Sequence, residues 1–355
     1  MTKIAVINDT HMGARNDSLA FNTYFFKFWN DVFFPYLKEN NIKNVLHLGD
    51  MVDRRKFVNY VILNHWRKNF IEKLKQEKIA VDMLVGNHDV PYKNTNDVNA
   101  LDELFGSYDN IRIFSDPCEI KYDDLTVVFL PWINSENVDK TLNLIKKTKS
   151  QIAFGHLEIS GFEMDRGAVC LDGMPKNIFD KFDMVISGHF HHKSTDGRIH
   201  YLGTQYEITW ADYADQKGFH IFDTDTRELV FVKNPYSMFH KIVYDDKQQN
   251  FDFSKINIDS AENSYVKIIV LNKTNPYIFD RFMEKLYKKN PIDISIVESI
   301  NDLTSDDAND NIDEAQDTVT ILNTYVDNME IDMNKERLKK LLRELYIESV
   351  NLEQV

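Results

Sequence analysis

Short apolar runs recur along the first 235 residues, and segments with helical spacing separate them. Runs of β-branched and aliphatic residues of this length are typical of buried strands. They predict strands at residues 4–8, 44–50, 80–87, 125–131, 151–156, 183–189 and 218–223. An aromatic stripe at residues 21–32, behind Ser18 as N-cap, predicts one helix, and residues 61–68 predict a second. This alternation indicates an α/β domain at residues 1–235.

The pattern changes after Pro235. A strand, a helix and a strand are predicted at residues 265–271, 275–289 and 293–300, which gives a small α+β domain at residues 236–300. Residues 301–317 have few apolar positions and are expected to form an acidic flexible linker. Two amphipathic helices are predicted in the final segment, 318–355, because apolar residues recur there at spacings of three and four. Their apolar positions are Val319, Leu322, Val326, Met329, Leu338, Leu341, Leu342 and Leu345.

Charge and composition narrow the picture only slightly. The net charge is −14, but residues 298–317 contribute eight acidic side chains and no Lys or Arg. Because the acidity is local, it does not exclude nucleic acid as a partner. The two cysteines, Cys118 and Cys170, cannot form a disulfide framework, which favours a reducing cytosol. No run approaches the roughly 18 apolar residues of a membrane span, and the start of the chain has no signal-peptide pattern. We therefore expect a cytoplasmic protein.

Polar motifs follow five of the predicted strands. In chain order they are DTH (9–11), GDMVDR (49–54), GNHD (86–89), GH (155–156) and GHFH (188–191). Each motif alone has an ordinary explanation, since Gly-Asp and Gly-Asn are common turn dipeptides. Five of them in order at strand ends are not explained that way, because the carboxyl ends of strands in an open sheet border one crevice. Carboxylate and imidazole ligands suit manganese, iron or zinc.

The motifs contain enough ligands for two metal ions. The first ion can be held by Asp9, His11, Asp50 and His191, and the second by Asp50, Asn87, His156 and His189. Asp50 would then bridge two ions about 3.5–4 Å apart, an arrangement that activates water and clamps a phosphate. His88 is left without a metal and is predicted to be the general acid, with Asp53 orienting its imidazole. The other histidines have no such pattern, and His47 is expected in the core.

These five motifs together resemble those of the calcineurin-like metallophosphoesterases and cover residues 9–191. The resemblance implies a four-layer α/β/β/α sandwich with a dinuclear metal centre. It also implies the same ligand assignment at the matching positions.

A narrower resemblance covers the whole chain. LPWINSEN (130–137), ISGHFHH (186–192) and IHYLGTQYEITWAD (199–212) are similar to segments of the SbcD-type DNA repair nucleases, especially those of T-even-like bacteriophages. Such proteins imply a capping domain, a linker and a C-terminal helical hairpin that binds an SbcC-type coiled-coil ATPase. They also imply a homodimer, through the helices predicted at 18–37 and 57–76. The sequence departs from many cellular members at Asp53, where they carry a histidine.

We therefore expect a metal-dependent DNA exonuclease or endonuclease, with Mn²⁺ as the favoured metal. DNA contacts are expected from the loops after the second and third motifs, at Arg54, Arg55, Lys56, Tyr92 and Lys93. Two alternatives remain, because one fold supports many functions. The first is a phosphatase or small-molecule phosphodiesterase with the same metal centre. The second is a DNA-end-binding scaffold for an ATPase.

Overall fold

A computed structural model of the chain describes residues 2–165, 168–247 and 252–298, together with residues 326, 335, 338 and 339. One compact unit comprises Met1–Ile208 and Asp212–Ile296, and a second comprises Thr209–Ala211 and Val297–Val355. The linker expected at 301–317 lies outside the described residues. Of the apolar positions predicted in the C-terminal helices, only Val326 and Leu338 are described, and both are helical. The remaining positions, and the hairpin as a whole, stay a prediction.

Strands account for most of the regular structure. They are β1 (Lys3–Ile7), β2 (Asn44–His47), β3 (Ala80–Leu84), β4 (Ile111–Phe114), β5 (Cys118–Tyr122), β6 (Leu125–Leu130), β7 (Ile152–His156), β8 (Glu163–Asp165), β9 (Ala168–Val169), β10 (Met184–Gly188), β11 (Ser194–Thr195), β12 (Ile199–Tyr201), β13 (Gly218–Asp223), β14 (Leu229–Lys233), β15 (Phe239–Asp245), β16 (Tyr265–Asn272) and β17 (Asp293–Val297). All seven strands predicted before residue 235 are present. The shorter and more exposed strands among the others were not predicted, because they lack a long apolar run.

Helices connect many of these strands. They are α1 (Ala14–Asp17), α2 (Leu19–Phe28), α3 (Phe34–Glu39), α4 (Tyr60–Trp66), α5 (Glu72–Gln76), α6 (Ala100–Phe105), α7 (Val138–Lys147) and α8 (Pro276–Tyr287). Single π turns at Trp29–Phe33 and Arg67–Ile71 join α2 to α3 and α4 to α5, so each pair makes one long helix. Ser18 caps α2 as predicted, because its hydroxyl accepts a hydrogen bond from the Phe21 main-chain N–H.

Two six-stranded sheets form the centre of the first unit. Their strand orders are β14-β13-β1-β2-β3-β4 and β11-β12-β10-β7-β6-β5. Strands β1 to β4 run parallel, as do β6, β7, β10 and β12, while the remaining strands pair antiparallel. Parallel strands covered on both faces require continuous apolar runs, which explains why the sequence pattern identified β1, β2, β3, β6, β7 and β10.

Apolar side chains of both sheets meet in one core. Ile4, Val6 and Leu46 of the first sheet pack with Phe154 and Ile186 of the second. On the outer side of the second sheet, α7 packs through Ile145. The aromatic residues of α2 and of the π turns cover the first sheet, where Phe28 and Phe33 contact Phe219 of β13. These four layers form the α/β/β/α sandwich that was predicted.

A three-stranded sheet, β15-β16-β17, follows the sandwich. Strands β15 and β16 are parallel, with Ile242 opposite Ile268, and α8 packs against the sheet through Phe279 and Phe282. The predicted strand–helix–strand segment is therefore present, with β15 as an additional strand. We call residues 236–297 the capping segment. Its first strand is tied to the sandwich, since the Glu207 carboxylate accepts hydrogen bonds from the Met238 and Phe239 main-chain N–H groups.

Candidate metal centre

The five polar motifs lie at the carboxyl ends of adjacent strands. DTH, GDMVDR and GNHD follow β1, β2 and β3 of the first sheet, while GH and GHFH end β7 and β10 of the second. Contacts between the sheets bring the motifs together. His156 Nε2 lies 3.2 Å from Asp50 Oδ2, and His11 Nε2 lies 3.1 Å from His191 Nε2. The crevice expected from the order of the strands is therefore formed.

One cluster consists of Asp9, His11 and His191, whose ligand atoms all lie within 4.8 Å of one another. Asp9 and His11 are buried, while His191 is only partly buried. Asp9 is held by Asn8, whose amide also donates to the Gly203 carbonyl at 2.9 Å. The His189 main-chain N–H donates to Asp9 Oδ2 at 3.0 Å, which ties the first sheet to the second.

A second cluster consists of Asp50, His156 and His189, under the same 4.8 Å limit. Asn87 belongs with it, because its Oδ1 lies 2.9 Å from both His156 Nε2 and His189 Nδ1. His156 Nδ1 donates to the Leu48 carbonyl at 2.8 Å, so Nε2 is the nitrogen that would bind a metal once its proton is displaced. Asp50 lies with this second cluster, and its predicted bridging to the first stays a prediction.

Several of these residues have left-handed backbone conformations. The φ angle is 47° at Asp9, 44° at His11, 57° at Asp50 and 86° at His189. Such conformations are uncommon outside glycine and persist only where the surroundings enforce them. Gly49 has a φ of 106°, and a Cβ there would approach His156 Nδ1 to 2.6 Å. The tight turns therefore direct the donor atoms of both sheets into one space.

His88 lies beside the clusters without joining either. Its Nδ1 donates to the Asp53 main-chain carbonyl at 2.5 Å, which leaves Nε2 available. Asp53 was predicted to orient His88 through its carboxylate, and the contact in the structure is made by the main-chain carbonyl of the same residue. That carboxylate instead lies 3.2 Å from His11 Nδ1, because the turn after β2 directs the Asp53 side chain towards the first cluster. Asp53 thus contacts two imidazoles. Its main-chain carbonyl contacts His88, and its carboxylate contacts His11.

Asp89, the last residue of GNHD, was not predicted as part of the site. It is fully buried, and its carboxylate accepts four main-chain N–H groups at 2.8–3.1 Å, from Asp50, Met51, Val52 and Gly86. Burial and the charge of Asp50 raise the pKa of Asp89 to about 7, although its N–H donors favour the charged form. Asp89 holds the second and third motifs together. The sequence signal for this role of Asp89 was its position in the GNHD motif.

The ionisation of the site fits a cation centre. Burial alone lowers the pKa of His11 and of His156, but nearby carboxylates raise these pKa values to about 10 and about 9. Burial opposes the charge of Asp50, yet His156 and His88 hold its pKa well below the usual range. Protons on imidazoles thus balance the buried carboxylates, and divalent cations would replace those protons on binding. The oxygen and imidazole donors contain no thiolate and suit manganese, iron or zinc.

Other predicted positions lie around the site. His47 is fully buried, and burial lowers its pKa to about 3, as expected for a core histidine. Of the expected DNA-contact residues, four line one surface pocket of about 350 Å³, namely Arg54, Arg55, Lys56 and Tyr92. Arg54 forms an ion pair with Asp17. Lys93 is exposed next to this pocket in the chain.

The sequence profile of the calcineurin-like phosphoesterase family matches residues 2–193. The chain belongs to this family and is a metal-dependent phosphoesterase. The family uses a dinuclear divalent metal centre, and the two clusters are the candidate sites for its ions. Within the part of the chain that the structure describes, no helix is long and apolar enough to cross a membrane.

Relatives are similar over different shares of the chain. Exonuclease subunit 1 of Enterobacteria phage T4 is 28% identical over 317 residues, which are 88% of this chain and 90% of that protein. The DNA double-strand break repair protein Mre11 of Sulfurisphaera tokodaii is 25% identical over 54% of this chain and 49% of its own length. A solved structure of an archaeal phosphodiesterase aligns over 66% of this chain and 100% of its own, with 16% identity and a TM-score of 0.31.

Proposed function

We propose that this protein is the nuclease subunit of an SbcC–SbcD-like complex and hydrolyses DNA phosphodiester bonds. The observation that carries the proposal is the pair of Asp/His clusters beside His88, whose imidazole belongs to neither cluster. The likeness to a phage exonuclease subunit supports DNA as the substrate, because it extends over 88% of this chain and so beyond residue 193. We propose that the protein acts in the cytoplasm. In a phage-infected cell, this is the cytoplasm of the host.

The two clusters would hold two divalent cations, which would activate a water molecule for attack and neutralise charge on the phosphate. The residues of this chain then divide the remaining work. His88, held at Nδ1 by the Asp53 carbonyl, presents Nε2 as the proton donor to the leaving oxygen. Asp89 holds the loops that carry Asp50 and His88 in register. The centroid of the Trp132 ring lies 5.3 Å from that of the His189 ring, so the indole supports this ligand candidate from one side.

The substrate is tested by incubating the protein and Mn²⁺ with end-labelled DNA and, separately, with p-nitrophenyl phosphate. We expect DNA cleavage at a rate far above phosphomonoester hydrolysis. A preference for p-nitrophenyl phosphate would favour a phosphatase. DNA binding without hydrolysis of either substrate would favour the scaffold function.

We propose Mn²⁺ as the working metal, because the ligands are oxygen and imidazole nitrogen and the phosphate needs exchangeable positions. Protein stripped with EDTA should be inactive, and Mn²⁺ should restore turnover. Full activity in Mg²⁺ alone would contradict this assignment, since magnesium prefers oxygen-rich octahedral sites.

DNA contacts are proposed at Arg55, Lys56 and Lys93, with Tyr92 beside them. The ion pair of Arg54 with Asp17 makes Arg54 a weaker candidate. Lys56→Ser and Lys93→Ser should each lower the salt dependence of DNA binding by about one released counterion. Lys288→Ser, at the exposed C-cap position of α8, is the control and should leave the salt dependence as it is.

We propose a homodimer that uses the surface at the start of α4, in keeping with the family resemblance. Phe57, Tyr60 and Val61 expose 73%, 84% and 68% of their surface, and Val98 exposes 50%. Large exposed apolar patches of this kind mark interaction sites. Phe57→Asp with Val61→Asp should yield a monomer in sedimentation analysis. Leu271→Asp is the control, since Leu271 is 60% exposed on the capping segment.

We propose that residues 318–355 bind an SbcC-type coiled-coil ATPase through the apolar faces of two helices. Leu341→Asp with Leu345→Asp should abolish co-purification with that ATPase and preserve Mn²⁺-dependent cleavage by the isolated subunit. The control exchanges polar positions of the same predicted helix, Lys339→Gln with Arg343→Gln. Retained complex formation by the leucine variant would assign these helices to an intramolecular contact.

A further inference from the structure

A buried lysine contacts the main chain of a metal-ligand candidate from behind. The Lys217 side chain is only 2% exposed, and its ammonium has three acceptors. They are the His191 carbonyl at 2.8 Å, Asp212 Oδ1 at 2.5 Å and Asp215 Oδ2 at 3.1 Å. Because an ammonium has three protons to donate, all three are used. A buried charge of this kind is tolerated only when it is paired in this way.

The two carboxylates are themselves fixed. Asp212 Oδ2 accepts a hydrogen bond from the Ile208 main-chain N–H at 2.8 Å, and Asp215 Oδ2 lies 3.1 Å from His192 Nδ1. The ion-pair network therefore connects residues 208–217 to two consecutive histidines, namely His191 of the GHFH motif and His192 directly after it. Breaking such a network by removing one partner is costly, since the other charges stay buried.

The geometry at His191 explains why a support is needed. His189 and His191 are two residues apart but belong to different clusters, so the main chain between them must present the imidazoles to separate sites. His191 is only partly buried, whereas Asp9 and His11 of its cluster are buried. Side-chain packing therefore fixes His191 less firmly. Its carbonyl, by contrast, accepts both the Lys217 ammonium and the Thr204 main-chain N–H, the latter at 3.1 Å.

We propose that Lys217 is a positioning residue of the metal centre: through the His191 carbonyl, it holds the His191 imidazole at the Asp9–His11 cluster. Asp212 and Asp215 keep the ammonium charged and in place. Outer contacts of this kind orient metal ligands, and their loss costs about 10–100-fold in metal affinity. The inference rests on the metal centre of the family and does not depend on DNA being the substrate.

The test uses a charge-balanced double variant of the full chain, Lys217→Met with Asp212→Asn. The asparagine retains an acceptor for the Ile208 N–H, and the net charge stays the same. In Mn²⁺ titration calorimetry, we expect the affinity of one of two ions to fall about 10–100-fold, with the other unchanged. The spin-coupled resonance signal of a Mn²⁺ pair should give way to that of isolated Mn²⁺ at two equivalents. Excess Mn²⁺ should restore turnover.

Lys267→Met is the matched control, because Lys267 is 1% exposed but lies on β16 of the capping segment. It should lower the melting temperature and leave both Mn²⁺ affinities as they are. If the double variant fails to fold, Lys217→Gln with Asp212→Asn decides the matter, since it removes the ammonium from the His191 carbonyl and keeps a polar side chain at both positions. Mn²⁺ affinities that stay unchanged in the folded variant, or lost turnover that excess Mn²⁺ does not restore, would overturn the proposal.

Discussion

The metal centre and the capping segment bury side chains of opposite kinds. At the strand ends of the sandwich, Asp9, Asp50 and His156 are at most 2% exposed. In the capping segment, Ile268 and Phe282 are equally inaccessible, and the sheet packs on α8 through such apolar side chains. Burying apolar area stabilises a fold directly, whereas burying charges costs free energy unless partners compensate.

The difference shows where a fold gives up stability for chemistry. The charged clusters lie on left-handed turns at Asp9, His11 and Asp50, and these conformations add strain to the cost of burial. The capping segment has left-handed residues at Asn263 and Asn290, but both are exposed, and asparagine tolerates this conformation better than most residues do. Variants should therefore distinguish the two regions. Changes at the metal centre should alter metal binding and turnover, and changes in the capping segment should alter stability.

The largest effect is expected from Asp50→Asn. This change removes negative charge next to His156 and at the predicted bridge between two cations. Since a bound metal supplies several kcal/mol of charge stabilisation, turnover should fall at least about 10³-fold. Turnover and bound Mn²⁺ would be measured together. Asp82→Asn, a buried aspartate paired with Arg112, is the control and should retain Mn²⁺. Normal turnover of the Asp50 variant would show that Asp50 is not a functional metal ligand.

His88→Gln should lower cleavage by about 10²–10⁴-fold while both metals stay bound, because a positioned acid contributes about that much. Metal analysis and single-turnover cleavage measure the two effects separately. His220→Gln, on β13, is the comparison variant and should cleave at the normal rate. Loss of metal from the His88 variant would mean that His88 is a ligand.

Phe282→Ala tests the opposite region. Phe282 is fully buried in the core between the capping sheet and α8, so its truncation should cost about 3–5 kcal/mol of unfolding free energy. Denaturant unfolding measures this cost. Turnover of p-nitrophenyl phosphate or a short DNA per folded molecule should stay near normal. A variant that is folded but has lost Mn²⁺ would show that the two regions are coupled.

The smallest effect is expected at Glu207, which joins the two regions. Burial raises the pKa of Glu207 from 4.5 to about 7, although the Phe239 and Met238 N–H groups lower it. The folded state therefore binds the proton more tightly than the unfolded chain. The resulting stability is fully present below about pH 4.5 and is lost as the pH rises through 7.

This contribution is at most about 3 kcal/mol. Glu207→Gln remains neutral and can still accept from both N–H groups, so its unfolding free energy should lose this part of the pH dependence between pH 5 and 8. Unfolding at several pH values in the parent and the variant measures it. Equal pH dependence in the two proteins would contradict the raised pKa.

The sequence was most informative where a local pattern of residues is typical of only one kind of local structure. Continuous apolar runs identified β1, β2, β3, β7 and β10, because parallel strands buried on both faces tolerate few polar residues. The polar residues directly after those strands could be assigned to one crevice by topology alone. Lys217 and Glu207 gave no such signal, since each acts through main-chain groups that lie far away along the chain.

The α/β class, the seven long strands and the donor types of the metal centre could be predicted from residue type and spacing alone. The division of these donors between two sites was also predicted, but the distances within each cluster and the contact of the Asp53 carbonyl with His88 depend on the folded chain. The tertiary structure also revealed the buried support of Asp89 and Lys217. Such contacts depend on φ angles at turns and on the approach of two sheets, and no run of neighbouring residues encodes the distance between atoms on different sheets.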